Sequence, residues 1–171
     1  MKTIFLFLFS LLIFTTNNFE INNGEVLWRK VNQQSILIET LEETMIKSGR
    51  FTNLTITENL ITAEIQNLPI DYKGAGESEM SIPMYIARSS INAYIVIEIK
   101  ENRYRVTVKN IKLVQNYSDA LSEQGEITAL EVYALRKKNT EFKKGFMKKT
   151  SRILDHTFEK LIVFENDNGK W

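Results

Sequence analysis

The feature that most constrains the fold is the stretch INAYIVIEIKENRYRVTVKNIKLV, from Ile91 to Val114, in which apolar and polar residues alternate. The alternation runs on both sides of a polar Glu101-Asn102 pair, the pattern of two antiparallel strands joined by a tight turn. The predicted pairs are Ile99–Tyr104, Ile97–Val106 and Ile95–Val108 on the apolar face, and Glu98–Arg105, Val96–Thr107 and Tyr94–Lys109 on the polar face. One apolar and one polar face indicate a sheet that is packed on a single side.

The apolar phase shifts by one residue near the end of this stretch. Ile111 and Leu113 are apolar, although the alternation would place apolar residues at 110 and 112. A β-bulge moves the following side chains across the sheet by one residue. We therefore expect a bulge near Lys109-Asn110.

The chain upstream of this hairpin is predicted to form a strand, a helix and a second hairpin. Residues 24–31 (GEVLWRKV) alternate as a short strand does, and NQQSILIETLEETMIKSG has apolar residues at helical spacing. Asn32 or Ser35 is the predicted N-cap of the helix and Gly49 its C-cap. The stretch FTNLTITENLITAEIQNL is predicted to turn at residues 58–59, which gives the pairs Ile56–Ile61, Leu54–Ala63, Thr52–Ile65, Thr55–Thr62 and Asn53–Glu64.

The last third of the chain is predicted to be a long amphipathic helix over residues 141–164. The segment before the central hairpin, DYKGAGESEMSIPMYIARSS, is either an edge strand through MSIPMYIA or a mobile loop, and we favour the edge strand with Pro83 at its rim. The predicted fold class is α+β, in the order β-α-β-β-β-β-α. An antiparallel sheet of about five strands in two hairpins is packed on one face by an N-terminal and a long C-terminal helix.

The first residues, MKTIFLFLFSLLIFTT, are typical of a secretory signal peptide, because one lysine precedes an apolar run too short to span a bilayer comfortably. We predict a signal peptide over 1–17, one α+β domain over 18–164 and a disordered tail over 165–171. The expected location is periplasmic or secreted, with no transmembrane segment after signal removal. The chain has no cysteine, which excludes a lipoprotein anchor, disulfides, thiolate metal sites and a cysteine nucleophile.

Charge is distributed unevenly along a chain whose formal net charge is only +1. Residues 136–152 hold one acidic residue against eight basic ones. The candidate site residues on this helix are Lys144, Lys148, Lys149 and Arg152. A solvated helix face is the simpler interpretation; the functional one is a surface for an anionic partner, either an anionic surface or an acidic protein. Nucleic acid is not an expected partner of an exported protein.

Other candidate residues carry weaker signals. His156, the only histidine, is predicted to be a solvated surface residue on the polar side of the helix. KGAGESE (residues 73–79) lacks the end of a phosphate-binding loop, so a flexible loop is predicted. Glu77 and Glu79 could bind a metal only if two or more carboxylates converged, no His or Cys would assist them, and no cofactor or metal site is predicted. Trp28 and Tyr104 are predicted core residues.

The order of elements resembles that of the DUF4468 family, exported bacterial proteins common in Bacteroidota. The resemblance lies in the polar turn followed by RYRVTVKNI, in the GEVLWRKV opening and in the final amphipathic helix, and it covers residues 24–163. The Gly- and Ser-containing segment before Ile91 departs from the compact hairpins expected there. The resemblance implies a TATA-binding-protein-like fold and an exported setting, but no activity, so no functional residue follows from it.

The sequence therefore predicts an exported, non-enzymatic binding or interaction module. The alternative is a periplasmic carrier that holds an apolar ligand between the sheet and the C-terminal helix. A filled interface between sheet and helix would favour the module, and a void of several hundred Å³ would favour the carrier. An enzyme ranks third, because no pair of nucleophile and base is visible in the sequence.

Overall fold

The computed structural model describes residues 18–33, 36–118 and 122–162 of the chain. The predicted signal peptide and the predicted tail lie outside the described residues. The strands of the main sheet are β1 (Phe19–Asn22), β2 (Glu25–Asn32), β3 (Phe51–Thr57), β4 (Leu60–Pro69), β5 (Ser89–Lys100), β6 (Arg103–Gln115) and β7 (Ile127–Ala129). The helices are α1 (Ile38–Ser48), α2 (Met84–Ala87), α3 (Leu130–Ala134) and α4 (Ser151–Ile162), and a small second sheet pairs β8 (Leu135–Arg136) with β9 (Glu141–Phe142).

The main sheet is antiparallel in the order β1-β2-β6-β5-β4-β3, with β7 added beside β6. The predicted α+β class and the order of the five longest strands and two main helices are confirmed. The prediction of about five strands missed β1 and β7. β1 is a four-residue strand next to the predicted signal peptide, and β7 has only three residues, so neither is long enough to show a period of two.

The central hairpin has the predicted register over its whole length. All six predicted pairs are observed, and residues 101–102 form the turn. The register shifts between the pairs Asn92–Lys112 and Tyr94–Lys109, and Asn110 has a φ of +51°. The bulge predicted near Lys109-Asn110 is therefore confirmed, and it returns Ile111 and Leu113 to the buried face.

The hairpin of β3 and β4 departs from the predicted register. Ile56–Ile61 and Thr55–Thr62 are paired as predicted. The predicted pairs Thr52–Ile65 and Asn53–Glu64 are wrong, because the observed pairs are Phe51–Ile65 and Thr52–Glu64. The predicted pair Leu54–Ala63 falls where the register shifts, between Thr52–Glu64 and Thr55–Thr62. The cause is a second bulge at Asn53, whose φ is +51°, a conformation that asparagine adopts at lower cost than most residues. The Asn53 amide donates to Glu64 at 3.0 Å across the bulge.

Two local predictions upstream of β5 fail. The N-cap of α1 is Leu37, with no capping side chain, so Asn32 is not the cap; it is the last residue of β2. Ser35 lies outside the described residues, and Gly49 is the C-cap, as predicted, with a φ of +63°. The preferred edge strand through MSIPMYIA is wrong as well. Residues 79–81 form a 3₁₀ turn and Pro83 is the N-cap of α2, a position next to the first helical turn where its missing N–H costs no helical hydrogen bond.

The core lies between the sheet and the two longest helices. Residues paired directly across strands share a face, so Trp28, Val108, Ile95 and Ala63 form a row on the covered face. Leu41 and Met45 of α1 and Phe158 of α4 belong to the same buried cluster. The predicted core residues Trp28 and Tyr104 are 0% and 3% exposed. The sheet is thus covered on one face, and its other face carries half-buried polar side chains.

The C-terminal helix is shorter than predicted. Residues 141–142 form β9, and the helical segment begins at Lys144, where residues 144–145 are α-helical and lead into a π-helical turn, Phe146–Thr150, which continues into α4. In this turn the backbone N–H of Ser151 bonds to the carbonyl of Phe146, five residues earlier. The Ser151 hydroxyl donates to the Met147 carbonyl and the Thr150 hydroxyl bonds Tyr85 at 3.0 Å, so two buried polar side chains are satisfied there.

Candidate functional site

Residues 70–81, called here the acidic strap, cross the outer side of α4. The backbone N–H of Asp71 donates to the Thr157 hydroxyl at 3.1 Å, and Ile70 and Ile82 are buried at the two ends of the segment. The Asp71 carboxylate lies 2.7 Å from Lys160 Nζ and 3.6 Å from His156 Nε2. The Lys160 hydrogen bond, and then that of the Gly74 N–H, holds the pKa of Asp71 below its ordinary value.

The other end of the acidic strap is held by Glu77. Its carboxylate accepts from the Ser81 hydroxyl at 2.8 Å, lies 3.1 Å from Lys149 Nζ and forms an ion pair with Arg152. The hydrogen bond from Ser81, followed by that from Lys149, lowers the pKa of the Glu77 carboxyl. Lys149 also donates to the Ser81 carbonyl at 2.8 Å. Two of the four candidate cations are thus compensated within the molecule.

Gly74 allows the strap to approach the helix closely. A Cβ atom at this position would lie 2.5 Å from Asp71 Oδ2 and 2.6 Å from His156 Nε2. The Gly74 N–H donates to Asp71 Oδ1 at 2.8 Å. KGAGESE therefore resembles a phosphate-binding loop only in sequence. Its Gly74 is required because the backbone lies against the Asp71 carboxylate of the same chain. His156 is partly exposed, as expected for a surface histidine, but lies against the strap rather than in open solvent.

The remaining candidates, Lys144 and Lys148, lie on the segment KKGFMKK (residues 143–149), called here the basic turn. Both side chains are exposed, and neither forms an ion pair with any residue that the structure describes. Phe146, between them, is 2% exposed and contacts Phe19 edge-to-face at 5.4 Å and Phe142 in a stack at 5.5 Å. The buried ring anchors the turn, and the two lysines project from it.

Sequence reasoning missed the pairing between the acidic strap and α4. The four candidate cations were predicted to form one surface for an anionic partner, but the structure separates them into a compensated pair and an uncompensated pair. The available signal was charge complementarity, since Asp71, Glu77 and Glu79 fall in one short segment of a chain whose cations are concentrated in another. Glu79 is exposed in the 3₁₀ turn, and it shares no ion pair with Glu77's partners among the described residues.

The open face of the sheet carries the other group of charges. Glu98 and Arg105 form the predicted pair, with two hydrogen bonds of 2.7 Å, and Arg105 Nε is one of the donors. This pairing lowers the pKa of Glu98 and raises that of Arg105. Arg29 lies 2.5 Å from Glu20 and also donates to the Thr107 hydroxyl. Arg29 and Arg105 are thus compensated by neighbouring carboxylates on this face.

Within residues 18–33, 36–118 and 122–162, no three His, Asp or Glu side chains converge as metal ligands would. The same residues contain no helix that is long and apolar enough to cross a membrane.

Comparison with known proteins supports the fold. The chain is similar to the crystal structure of a DUF4468 family protein from Bacteroides ovatus, with a TM-score of 0.54 and 16% identity, over 91% of this chain and 95% of that one. It is also similar to a TBP-like protein from Parabacteroides distasonis, with a TM-score of 0.48 and 14% identity, over 88% and 98% of the two chains. No family model matches the sequence, and no curated protein does. The fold predicted from the resemblance is confirmed.

Proposed function

We propose that this protein is an exported, non-enzymatic binding module that contacts an anionic partner surface through the basic turn. The observation that carries the proposal is the difference among its cations. Lys149 and Arg152 have Glu77 as a counter-ion, whereas Lys144 and Lys148 are exposed with no counter-ion among the described residues. An anionic surface would supply counter-ions for these two lysines.

Folding alone gives no reason for lysines at these positions. Lys144 lies in the first turn of the helical segment, where the helix macrodipole favours negative charge and disfavours positive charge. Lys148 is four residues further on, a spacing at which like charges repel by tenths of a kcal/mol. Both costs are removed when the lysines are neutralised by a partner.

The geometry of the turn suits binding by a preorganised surface. Phe146 is packed between Phe19 and Phe142, and Thr150 and Ser151 are fully buried. Phe146, between the two lysines, and Thr150 and Ser151, just after them, therefore fix the backbone from which Lys144 and Lys148 project. Only the lysine side chains would lose freedom when a partner binds, which lowers the entropic cost of association.

The carrier alternative requires enclosed space between the sheet and α4, and the centre of this interface is filled. The cleft of about 390 Å³ between the end of β4 and α4, lined in part by Leu68, Thr157 and Leu161, is open to solvent. Trp28 and Phe158 are 0% exposed, and their rings lie 5.6 Å apart. The Trp28 indole N–H donates to Asp155 at 2.6 Å, which ties the helix to the sheet over the centre of the interface. This packing favours the module over a carrier of apolar ligands.

The absence of enzymatic activity and the exported setting are parts of the same proposal. The one histidine lies beside Asp71, whose carboxylate is engaged by Lys160 and by the Gly74 N–H, so this acid–base pair serves to attach the strap. The setting rests on the amino-terminal apolar run. Mass spectrometry of protein from the periplasm or medium should show a first residue between 16 and 21, and Met1 on protein from the cytoplasm would contradict export.

The binding test compares two double charge reversals of equal size. Lys144→Glu/Lys148→Glu should abolish retention on both a sulfated polysaccharide column and anionic vesicles at low ionic strength. The control is Lys100→Glu/Arg103→Glu, at the exposed turn between β5 and β6, which should reduce retention only slightly. The 12 residues of β5 place this turn about 35 Å from α2, beside which the basic turn lies.

Wild-type protein should elute earlier as salt increases, because exposed charges are screened. Failure of the wild type to bind any anionic matrix at low salt would refute the proposal. Equal losses in the two double variants would show that net charge, rather than the basic turn, governs binding.

A further inference from the structure

Exposed apolar side chains surround the basic turn. Met80, in the 3₁₀ turn of the acidic strap, is 100% exposed; Met84, at the start of α2, is 57% exposed, and Val132 of α3 is 59% exposed. Single exposed apolar residues are common on protein surfaces. Here three exposed apolar residues come from three separate elements and lie near one group of lysines. This arrangement requires a different explanation.

Hydrogen bonds and ring contacts place these residues together. Lys149 of the basic turn donates to the carbonyl of Ser81, the neighbour of Met80. Lys143 donates to the carbonyl of Val132 at 2.7 Å. The strap and α3 are therefore each bonded to the basic turn by one of its lysines.

A ring stack joins the two short helices at the same place. Tyr85, next to Met84, stacks on Tyr133, next to Val132, with ring centroids 4.1 Å apart. The Tyr85 hydroxyl bonds Thr150 at the end of the π-helical turn. Met80, Met84 and Val132 thus lie around a common centre with the basic turn, and we call this group the apolar tip.

We propose that the apolar tip and the basic turn together bind the surface of an anionic lipid bilayer, with Met80 and Met84 entering the headgroup–acyl boundary while Lys144 and Lys148 contact lipid phosphates. This inference rests on the proposed function and names its partner. Apolar burial and electrostatic attraction to anionic lipids are the two terms that attach peripheral proteins to membranes. Both are available in this group of neighbouring segments.

The methionines distinguish a bilayer from the other anionic partners. A polysaccharide would neutralise the lysines but would leave Met80 in water. Methionine is unbranched and flexible, so it fits the irregular space between lipid chains. The short 3₁₀ turn that carries Met80 is attached to the basic turn through Lys149, which bonds the Ser81 carbonyl and the Glu77 carboxylate, so inserting the side chain requires no unfolding of the strap.

The first experiment measures vesicle binding by residues 18–171, which retain every described residue, at low and physiological ionic strength. The vesicles contain either phosphatidylcholine alone or phosphatidylcholine with phosphatidylglycerol. Wild-type protein should bind only the phosphatidylglycerol vesicles. Met80→Ser/Met84→Ser should bind them at least about tenfold more weakly, because the apolar area is lost, and its retention on the sulfated polysaccharide should be unchanged.

The matched control removes two exposed apolar side chains from α1 and the residue before it. Leu37 is 71% exposed and Ile46 is 62% exposed. Leu37→Ser/Ile46→Ser should bind phosphatidylglycerol vesicles as the wild type does. A loss equal to that of the methionine variant would overturn the inference.

A second experiment reports insertion directly. The chain has no cysteine, so Met80→Cys provides a unique site for an environment-sensitive fluorophore. Its emission should rise on phosphatidylglycerol vesicles and be quenched by spin labels on lipid chains. A label that remains in water while the protein is bound would overturn the inference.

The outcomes separate the two proposals. Wild-type protein that binds the polysaccharide but not the vesicles would overturn the lipid inference and leave the proposed function standing. Vesicle binding unaffected by the methionine substitutions would do the same. Wild-type protein that binds neither matrix at low salt would refute both.

Discussion

The two halves of the C-terminal helical segment differ in how their charges are compensated. In α4, Asp155 accepts from Trp28 and Asn18, Glu159 accepts from Lys30 at 2.5 Å, and Lys160 pairs with Asp71. In the basic turn, Lys144 and Lys148 have no partner among the described residues. The charges of α4 attach it to the sheet and to the strap, so the fold accounts for them.

This difference separates charged residues that stabilise the fold from charged residues that do not. A charged residue with a partner in its own chain can be retained for stability, whereas one without such a partner contributes little to stability or opposes it. The first half of the segment is therefore the part in which we look for function. Substitutions in the two halves should affect stability to different degrees.

The largest effect is expected at Asp155. Asp155→Ala leaves the fully buried Trp28 indole N–H without its acceptor, and an unsatisfied buried donor costs about 1–3 kcal/mol. Urea unfolding should show a lower midpoint with an unchanged slope. Lys148→Ala, the control in the other half, should change the free energy of unfolding by less than about 0.5 kcal/mol.

Trp28→Phe tests the cause of this loss. It removes the N–H donor, so Asp155→Ala should cost less in that background than in the wild type. Equal costs in both backgrounds would show that the hydrogen bond is not what Asp155 contributes.

A smaller effect is expected from the carboxylates of the acidic strap. The pKa values of Asp71 and Glu77 are lowered from their ordinary values of 3.8 and 4.5 in the folded chain. Their stabilisation is complete above those ordinary values and is lost as pH falls through the lower, folded pKa values. The melting temperature should therefore decrease as the solution is acidified below about pH 4.5.

Asp71→Asn/Glu77→Gln should melt below the wild type at pH 7 and depend less on pH in this range. The two curves should converge at the lowest pH, where both carboxyl groups of the wild type are protonated and therefore as neutral as the two amides of the variant. Glu98 remains in both proteins, so some dependence on pH will persist. A constant difference between the curves would mean that the substitutions act through packing and not through charge.

The smallest effect is expected at Lys144, and its sign is informative. Lys144→Glu places a negative charge in the first turn of the helical segment and four residues before Lys148, so the free energy of unfolding should rise by about 0.5 kcal/mol. Lys160→Glu, the same substitution in the other half, should lower it because the pair with Asp71 is lost. Destabilisation by Lys144→Glu would show that Lys144 has a structural role.

The elements that were predicted correctly are those whose signal is local and periodic. The central hairpin alternates over 12 and 13 residues per strand, and its bulge is visible as a phase shift. The bulge at Asn53 leaves a weaker trace of the same kind, because Phe51 is the one apolar residue that is out of phase with Leu54 and Ile56. The π-helical turn was missed for a similar reason: one inserted residue barely changes a helical pattern.

The candidate site was predicted as a set of residues but not as a geometry. The basic segment was identified from charge alone, and all four cations lie on the helical segment. Their division into two pairs depends on Glu77, which is 72 to 75 residues distant in sequence from Lys149 and Arg152. The apolar tip requires three elements to meet, which no pattern within one element can show.

The bonds that tie α4 to the first strands have a consequence for how the chain folds. Asn18, Trp28 and Lys30 bond to residues 137, 127 and 129 positions later in the chain. Closing loops of this length is entropically costly, and topologies with such distant contacts fold slowly. The covered face of the sheet therefore lacks its helical layer until residues 151–162 have left the ribosome, and its apolar strand surface is open to chaperones throughout that interval.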